Sequence, residues 1–176
     1  DITLVSVNVE GNAVTSENTI IFTAGLREGQ TISQAEFPRA IKRLWQLGLF
    51  QDIQLRYDEE TDEGLSLTIL VKENFILGDL SYDGNKKIKD RKFEDEVSLS
   101  KGQRLRPNTL HETAKKIKEL YEEKGYLNAE INPVLEIPVE ESTLFDGRAK
   151  DLVRNVVFNI QENDKIKTGK IIFEGN

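Results

Sequence analysis

The residues that could carry covalent chemistry are few in this chain of 176 residues. It contains no cysteine, and His111 is its only histidine. Without a cysteine or a second histidine, the sequence offers neither a thiol nucleophile nor a histidine-rich metal site. We find no catalytic triad around His111 and interpret it as a surface residue in the first turn of a helix. We therefore expect no catalytic residue, no bound cofactor and no enzymatic activity.

A run of acidic residues raises the question of a calcium site. The run comprises Glu59, Glu60, Asp62 and Glu63. Calcium loops of the EF-hand type space their ligands as Asp-x-Asp-x-Asp-Gly with a distal Glu, and this run does not follow that spacing. We interpret it as a solvated hairpin loop and expect no metal site.

A local basic cluster contrasts with the acidic character of the whole chain. The cluster comprises Lys86, Lys87, Lys89, Arg91 and Lys92. We interpret it as a solvated loop and helix start, with a lipid head-group contact as the alternative. The net charge is −7 and the pI is about 4.9, with acids and bases interspersed. Nucleic-acid-binding domains present a basic face, so this balance argues against a nucleic-acid partner. It also argues against a simple binder of anionic membranes.

One short pattern occurs three times along the chain. Each copy is a strand of alternating apolar residues that ends in an acidic residue, a glycine and an asparagine. The copies lie at residues 7–12, 80–85 and 171–176. Glycine and asparagine tolerate positive φ, so Gly11, Gly84 and Gly175 are predicted to be turn residues. The copies are further apart than the period of about 20–50 residues typical of solenoids. Each copy therefore marks the start of a whole small module.

Hydrophobic periodicity and capping residues predict the same element order in two modules. In the first module, strands are predicted at residues 4–9, 52–57 and 65–71, with a helix at 17–24 capped by Ser16 and a longer helix that follows the cap Ser33 and ends near residue 47. In the second, strands are predicted at 80–82, 129–137 and 153–160, a helix at 91–98 with Asp90 as its cap, a helix at 109–124, and an irregular segment at 138–151. The predicted fold class is α+β, built of tandem β-α-α-β-β modules.

A second internal match lies where the long helix of each module meets the next strand. Residues 44–53 align with residues 121–130, so that Gly48 aligns with Gly125. We predict a left-handed backbone at both glycines, which turns the next two side chains back against helix and sheet. The side chains that should plug the corners are Leu49, Phe50, Tyr126 and Leu127. Trp45 lies on the apolar face of its helix and is predicted to belong to the core.

These motifs together resemble the polypeptide-transport-associated (POTRA) domains of BamA-type outer-membrane assembly factors. The marks are the three acidic-Gly-Asn turns, the corner LWQLGLFQDIQL with its twin LYEEKGYLNAEI, and the closing strand LSLTILVKE followed by ILGDLSYDGN. The resemblance covers essentially the whole chain. It implies a first module at residues 1–74, a second at 75–165 and the opening strand of a third at 166–176. Each module should be a three-stranded mixed sheet covered by two helices.

The resemblance carries expectations about function. It implies a periplasmic array attached to a β-barrel that follows it in the same chain, in the outer membrane. The array would receive unfolded outer-membrane proteins and dock accessory subunits by strand addition. The implied partners are those unfolded proteins, periplasmic chaperones, accessory lipoproteins and the C-terminal barrel. Two alternatives stay open: an array that serves a related secretion or translocation barrel, and a soluble enzyme, against which the lack of chemically competent clusters counts.

The resemblance also implies that the last strand of each module is central, which leaves the strand after the long helix at an open edge. Open edges offer unpaired backbone N–H and C=O groups to an extended peptide. The predicted binding edge of the first module comprises Gln51, Asp52, Ile53, Gln54, Leu55, Arg56 and Tyr57. From Asp52 onward its odd-numbered residues should face the helices. The predicted edge of the second module comprises Ile131, Asn132, Val134 and Leu135, and Pro133 makes it the poorer template.

Overall fold

The computed structural model describes residues 1–139 and 147–167, which form two units of the same architecture. The first unit contains β1 (Ile2–Glu10), α1 (Glu17–Ala24), β2 (Thr31–Ile32), α2 (Glu36–Gln46), β3 (Phe50–Thr61) and β4 (Gly64–Glu73). The second contains β5 (Phe75–Asp83), α3 (Asp90–Glu96), β6 (Arg104–Leu105), α4 (Pro107–Glu123), β7 (Glu130–Glu136), a 3₁₀ helix (Gly147–Leu152) and β8 (Val153–Gln161). Residues 168–176, which hold most of the predicted third opening strand and Gly175, lie outside the described residues.

Both sheets have the same strand order, which confirms the α+β class. The order is β2-β1-β4-β3 in the first sheet and β6-β5-β8-β7 in the second. In each sheet the last strand is central: it pairs in parallel with the first strand and antiparallel with the strand after the long helix. The sheets have four strands rather than the predicted three, because β2 and β6 each add a two-residue strand. Two residues are too few to show an alternating pattern in the sequence.

Each sheet and its helices enclose a separate hydrophobic core. In the first module, Leu67 and Ile69 of β4 pack with helix residues such as Leu44, and all three are fully buried. In the second module, Phe158 of β8 and Phe93 of α3 are fully buried in the core between sheet and helices. Burial of each such side chain contributes about 1.5–3 kcal/mol. No residue belongs to both clusters, so within the described chain each module is stabilised by its own core.

Several local predictions are wrong in detail. Trp45 is 43% exposed and Leu127 is 48% exposed, so neither is a core residue. The acidic hairpin is not a loop, because β3 continues to Thr61, which pairs directly with Gly64 and leaves a two-residue turn. The strands β4 and β5 are separated by Asn74 alone, so the junction between modules is almost continuous strand.

Two helix starts also differ from prediction. Ser16 caps α1 as expected, since its hydroxyl accepts the Thr19 N–H at 3.2 Å. The helix α2 begins after Ala35, without a side-chain cap, rather than at Ser33. Asp90 is the first residue of α3 rather than its cap, and its carboxylate accepts a hydrogen bond from the side-chain amide of Asn85.

The left-handed glycines at the corners are confirmed. Gly48 has a φ of +67° and Gly125 a φ of +89°. The turn glycines Gly11 and Gly84 have φ values of +86° and +83°. A Cβ on Gly11 would collide with the backbone oxygen of Val71 on β4, so this turn needs both the conformation and the small volume of glycine.

Replacing Gly11 by alanine tests this double requirement. Strain at positive φ alone costs about 1–2 kcal/mol, and at Gly11 the collision adds to it. The matched control is Gly29→Ala, because Gly29 has a φ of +76° but open space around its Cβ position. We expect Gly11→Ala to lower the urea midpoint clearly more than Gly29→Ala. Equal midpoints for the two variants would contradict the close approach to Val71.

Candidate peptide-binding edges and the junction between modules

The strand β3 forms an open edge whose central part pairs without interruption. Irregularities in its pairing with β4 lie between Phe50 and Asp52 and between Tyr57 and Glu59. Between them, Asp52 to Tyr57 pair in continuous register with Lys72 to Leu67. On the other side of β3 the sheet has no further strand within the described residues. In an edge strand of this type, alternate residues direct both backbone groups outward, where a peptide can reach them.

The side chains of this edge follow the predicted alternation, with one difference. Ile53 is 6% exposed and Leu55 is half-buried, so both face the helices. Tyr57 packs edge-on against Phe37 of α2, with ring centroids 5.7 Å apart, yet it is 59% exposed. Tyr57 therefore lies on the helix-facing side of the sheet, but the helices leave most of its side chain exposed.

The outward side chains carry charges that are largely paired with one another. Arg56 forms ion pairs with Glu10 at 2.9 Å and with Asp58 at 2.8 Å. The hydrogen bond to Glu10 is the largest cause, and that to Asp58 the next, of a raised pKa at the Arg56 guanidinium. The Thr68 hydroxyl and then Arg56 hold the pKa of Asp58 below its ordinary value. These charges keep the solvent face of the edge polar without covering its backbone.

A groove begins at Tyr57, where the ends of β1, β3 and β4 face the start of α2. Its volume is about 630 Å³. Its lining residues are Ile2, Gln34, Phe37, Pro38, Tyr57, Asp58, Glu59, Glu60 and Leu65. A strand added to β3 that extends past Tyr57 would bring side chains to this groove. Sequence reasoning missed the groove, because alternation placed Tyr57 on the helix side without showing that it is exposed there.

The second module repeats the arrangement at β7. This strand pairs with β8 in continuous register from Glu130 to Glu136, and Pro133 lies at its centre. A groove of about 430 Å³ separates β7 from α4. Its lining includes Ile131, Asn132 and His111, so the single histidine lies beside a strand edge. Pro133 has no N–H to donate, which makes β7 the weaker template of the two.

Potential metal ligands are not clustered in the described residues. Among them, no three His, Asp or Glu side chains are grouped so that they could hold a metal ion. Within the same part of the chain, no helix is long and apolar enough to cross a membrane.

A buried carboxylate joins the two modules, and sequence reasoning did not find it. The Glu73 side chain is fully buried. One oxygen of Glu73 accepts backbone N–H groups from three consecutive residues, Ala13, Val14 and Thr15, at 2.7, 2.9 and 2.9 Å. The other oxygen accepts from Arg104 of β6 at 3.0 Å. The same carboxylate therefore holds the first turn of one module and the short strand of the next.

Arg104 makes a second contact across this junction. One of its nitrogens donates to the backbone oxygen of Asn74 at 2.9 Å. The side chain of Asn74 donates in turn to the backbone oxygen of Gly48 at 3.1 Å. Burial disfavours the charged form of Glu73, but the three N–H groups and the Arg104 guanidinium outweigh it and hold the pKa of Glu73 below its ordinary value.

Comparison with known proteins assigns this arrangement to a family. The sequence profile of POTRA, described as surface antigen variable number repeat, matches residues 2–74 and again residues 75–163. The chain belongs to the POTRA family. The resemblance drawn from the sequence is thereby confirmed, and the chain is a tandem of POTRA modules.

Curated relatives and solved structures agree with this assignment. The chain is 25% identical over 172 residues to the outer membrane protein assembly factor BamA of Nitratidesulfovibrio vulgaris. The aligned region covers 98% of this chain and 20% of the relative. It is 28% identical over 182 residues to BamA of Neisseria meningitidis serogroup B. This alignment covers all of this chain and 20% of the relative. The chain thus spans about a fifth of the length of these curated relatives.

The fold is shared with cyanobacterial proteins. The N-terminal domain of Omp85 from Thermosynechococcus elongatus matches with a TM-score of 0.55 at 19% identity, over 92% of this chain and 63% of that one. POTRA1-2 of the periplasmic domain of Omp85 from Anabaena matches with a TM-score of 0.50 at 17% identity. This match covers 93% of this chain and 95% of that one. POTRA modules are the periplasmic part of such outer-membrane proteins, which confirms the expected location.

Proposed function

We propose that this POTRA tandem is part of an outer-membrane β-barrel assembly factor and receives unfolded outer-membrane proteins by strand addition. Family membership and the two BamA relatives support the general role. The observation that carries the mechanism is the open β3 edge, where Asp52 to Tyr57 keep an unbroken register between two irregularities.

We further propose module boundaries after residue 74 and residue 165, with the opening strand of a third module at 166–176.

Strand addition suits a factor that must accept many different clients. An added strand bonds to the backbone of β3, so affinity depends little on the client's sequence. The groove beside Tyr57 and Phe37 gives the side chains of a client strand that extends past Tyr57 an apolar surface to cover. The ion pairs of Arg56 keep the free edge soluble and discourage pairing between copies of the chain.

The two edges should differ in strength. In β3, the register between the irregularities contains no proline, whereas Pro133 lies in the middle of the β7 register. We therefore assign Gln51, Asp52, Ile53, Gln54, Leu55, Arg56 and Tyr57 to the principal client edge. Ile131, Asn132, Val134 and Leu135 form a secondary edge, which would serve accessory lipoproteins or chaperones.

Amide hydrogen exchange tests the principal edge directly. In the free protein, alternate amides between Asp52 and Tyr57 should exchange rapidly because they face solvent. Addition of an extended peptide with the alternating pattern of a barrel strand should protect those amides selectively. Gln54→Pro should weaken binding at least several-fold, since it removes an N–H and bends the edge. Arg56→Ala should bind almost normally, because recognition lies in the main chain.

The matched control is Gln54→Ala, which removes the same side chain and keeps the N–H. The proton–nitrogen spectrum of Gln54→Pro must show an intact core, so that weaker binding reflects the edge. Protection confined to the helices, or a folded Gln54→Pro variant that binds as tightly as Gln54→Ala, would contradict strand addition at β3.

A further inference from the structure

A glutamate and an asparagine stand at the end of the last strand of each module. Glu73 is the last residue of β4 and Asn74 follows it, whereas Glu162 and Asn163 both follow β8. Glu162 accepts the backbone N–H of Lys87 at 2.6 Å, as Glu73 accepts those of the first module's turn. The asparagines differ: Asn74 donates to the backbone oxygen of Gly48, whereas Asn163 has a φ of +52° and donates to the backbone oxygen of Asn128 at 2.6 Å. The two modules therefore share the contact of the glutamate with the turn, but not the path of the chain after it.

The two copies differ in what occupies the second carboxylate oxygen. In the first module that oxygen binds Arg104, which belongs to the next module. In the second, both the Lys87 N–H and the Tyr121 hydroxyl bond to one oxygen of Glu162. Within the described part of the chain, the other oxygen of Glu162 has no hydrogen-bond or ion-pair partner. Glu73 is buried, whereas Glu162 is only half-buried.

We propose that the free carboxylate oxygen of Glu162 forms a receptor for a guanidinium group carried on a short strand of another module of the same kind. Its occupied counterpart is the contact of β6 with Glu73 and Asn74. The surface around Glu162 suits a protein partner, since Leu127 and Ile166 at the same end are both 48% exposed. This interface is independent of the client edges.

The geometry of the occupied copy selects arginine over lysine. Arg104 donates through two different nitrogens, one to the Glu73 carboxylate and one to the Asn74 backbone oxygen. A guanidinium presents such a planar fork of donors, whereas an ammonium is a single point charge. At the open copy, the free Glu162 oxygen corresponds to the Glu73 oxygen that binds Arg104. An arginine followed by an apolar residue, as Leu105 follows Arg104, is the expected ligand.

A peptide with the sequence of residues 99–107 provides the probe, because it contains β6. It is titrated into the 176-residue chain labelled with nitrogen-15. We expect weak, saturable shifts of the Lys87 and Asn163 amides, with a Kd on the order of 1 mM. The Glu73 site should respond less, because its own Arg104 is tethered at a high effective concentration.

Two peptide variants and two protein variants define the outcome. A peptide with citrulline in place of the first arginine keeps the shape without the charge, and should lose at least tenfold in affinity. A lysine peptide should bind at least threefold more weakly. Glu162→Gln should abolish the shifts, whereas Glu130→Gln, which removes an exposed acid opposite Gln161, should keep them.

Three results would overturn the proposal. The first is equal binding of the arginine and citrulline peptides, which needs no protein variant to fold. The second is unchanged binding to Glu162→Gln. The third is the absence of shifts at Lys87 and Asn163, whether the peptide binds elsewhere, such as the β3 edge, or does not bind at all.

Discussion

Replacing Glu73 by leucine is expected to lower the free energy of unfolding of the first module by about 3–5 kcal/mol, the usual cost of breaking a buried ion pair. The carboxylate accepts three backbone N–H groups and one guanidinium, and its side chain is fully buried. Leucine fills the space but leaves those donors without an acceptor in a site that water does not reach. Urea unfolding followed by Trp45 fluorescence measures the effect, since Trp45 is the only tryptophan and lies in this module.

A double-mutant cycle separates the two roles of Glu73. Arg104→Leu removes only the contact across the junction, so it should cost clearly less than Glu73→Leu. The double variant should cost little more than Glu73→Leu alone, because Arg104 has then already lost its carboxylate. Glu10→Gln serves as the control, since it breaks only the exposed pair with Arg56 and should leave the midpoint almost unchanged. A Glu73→Leu protein as stable as this control would exclude the proposed role of the carboxylate.

The sequence was most informative where local physics decides the structure. Alternation places Ile53 and Leu55 on the helix side of β3, as the structure has them. Left-handed conformations at Gly48 and Gly125 follow from the corner itself, because a chain that reverses there needs positive φ. The central place of the last strand came from the family resemblance, since periodicity alone does not specify which strands are neighbours.

The errors occurred where burial depends on distant parts of the chain. Trp45 lies on the apolar face of α2, but periodicity cannot indicate where the sheet beneath that face ends. Tyr57 is exposed for the same reason: the strand extends past the helix that covers its neighbours. Glu73 looked like an ordinary charged residue at a strand end. Only the fold brings the turn at Ala13 and the side chain of Arg104 to its two oxygens.

One signal in the sequence did point to the junction. The dipeptide Glu-Asn stands at the end of the closing strand of both modules, at Glu73 and at Glu162. A repeated charged residue at the end of a buried strand is unusual, because burial of an unpaired carboxylate is costly. An internal repeat therefore carries information about interfaces as well as about turns.

The second large effect is expected at Phe93, whose replacement by alanine should destabilise the second module by about 3–5 kcal/mol. Phe93 is fully buried and is the one buried residue of α3, a helix of seven residues. Its ring lies 4.8 Å from that of Tyr82 and 6.1 Å from that of Tyr121. Because so short a helix has little stability of its own, α3 should detach from the sheet when this contact is lost.

The distribution of the effect between modules is the sharper test. The two cores share no residue, so Phe93→Ala should lower the unfolding midpoint of second-module amides while the Trp45 fluorescence transition moves much less. Phe22→Ala is the matched control, since Phe22 is 71% exposed on α1 and its loss should change neither transition appreciably. If Phe93→Ala shifts both transitions equally, the junction at Glu73 couples the modules into one cooperative unit. A Phe93→Ala protein that unfolds like Phe22→Ala would show that α3 is not held by this ring.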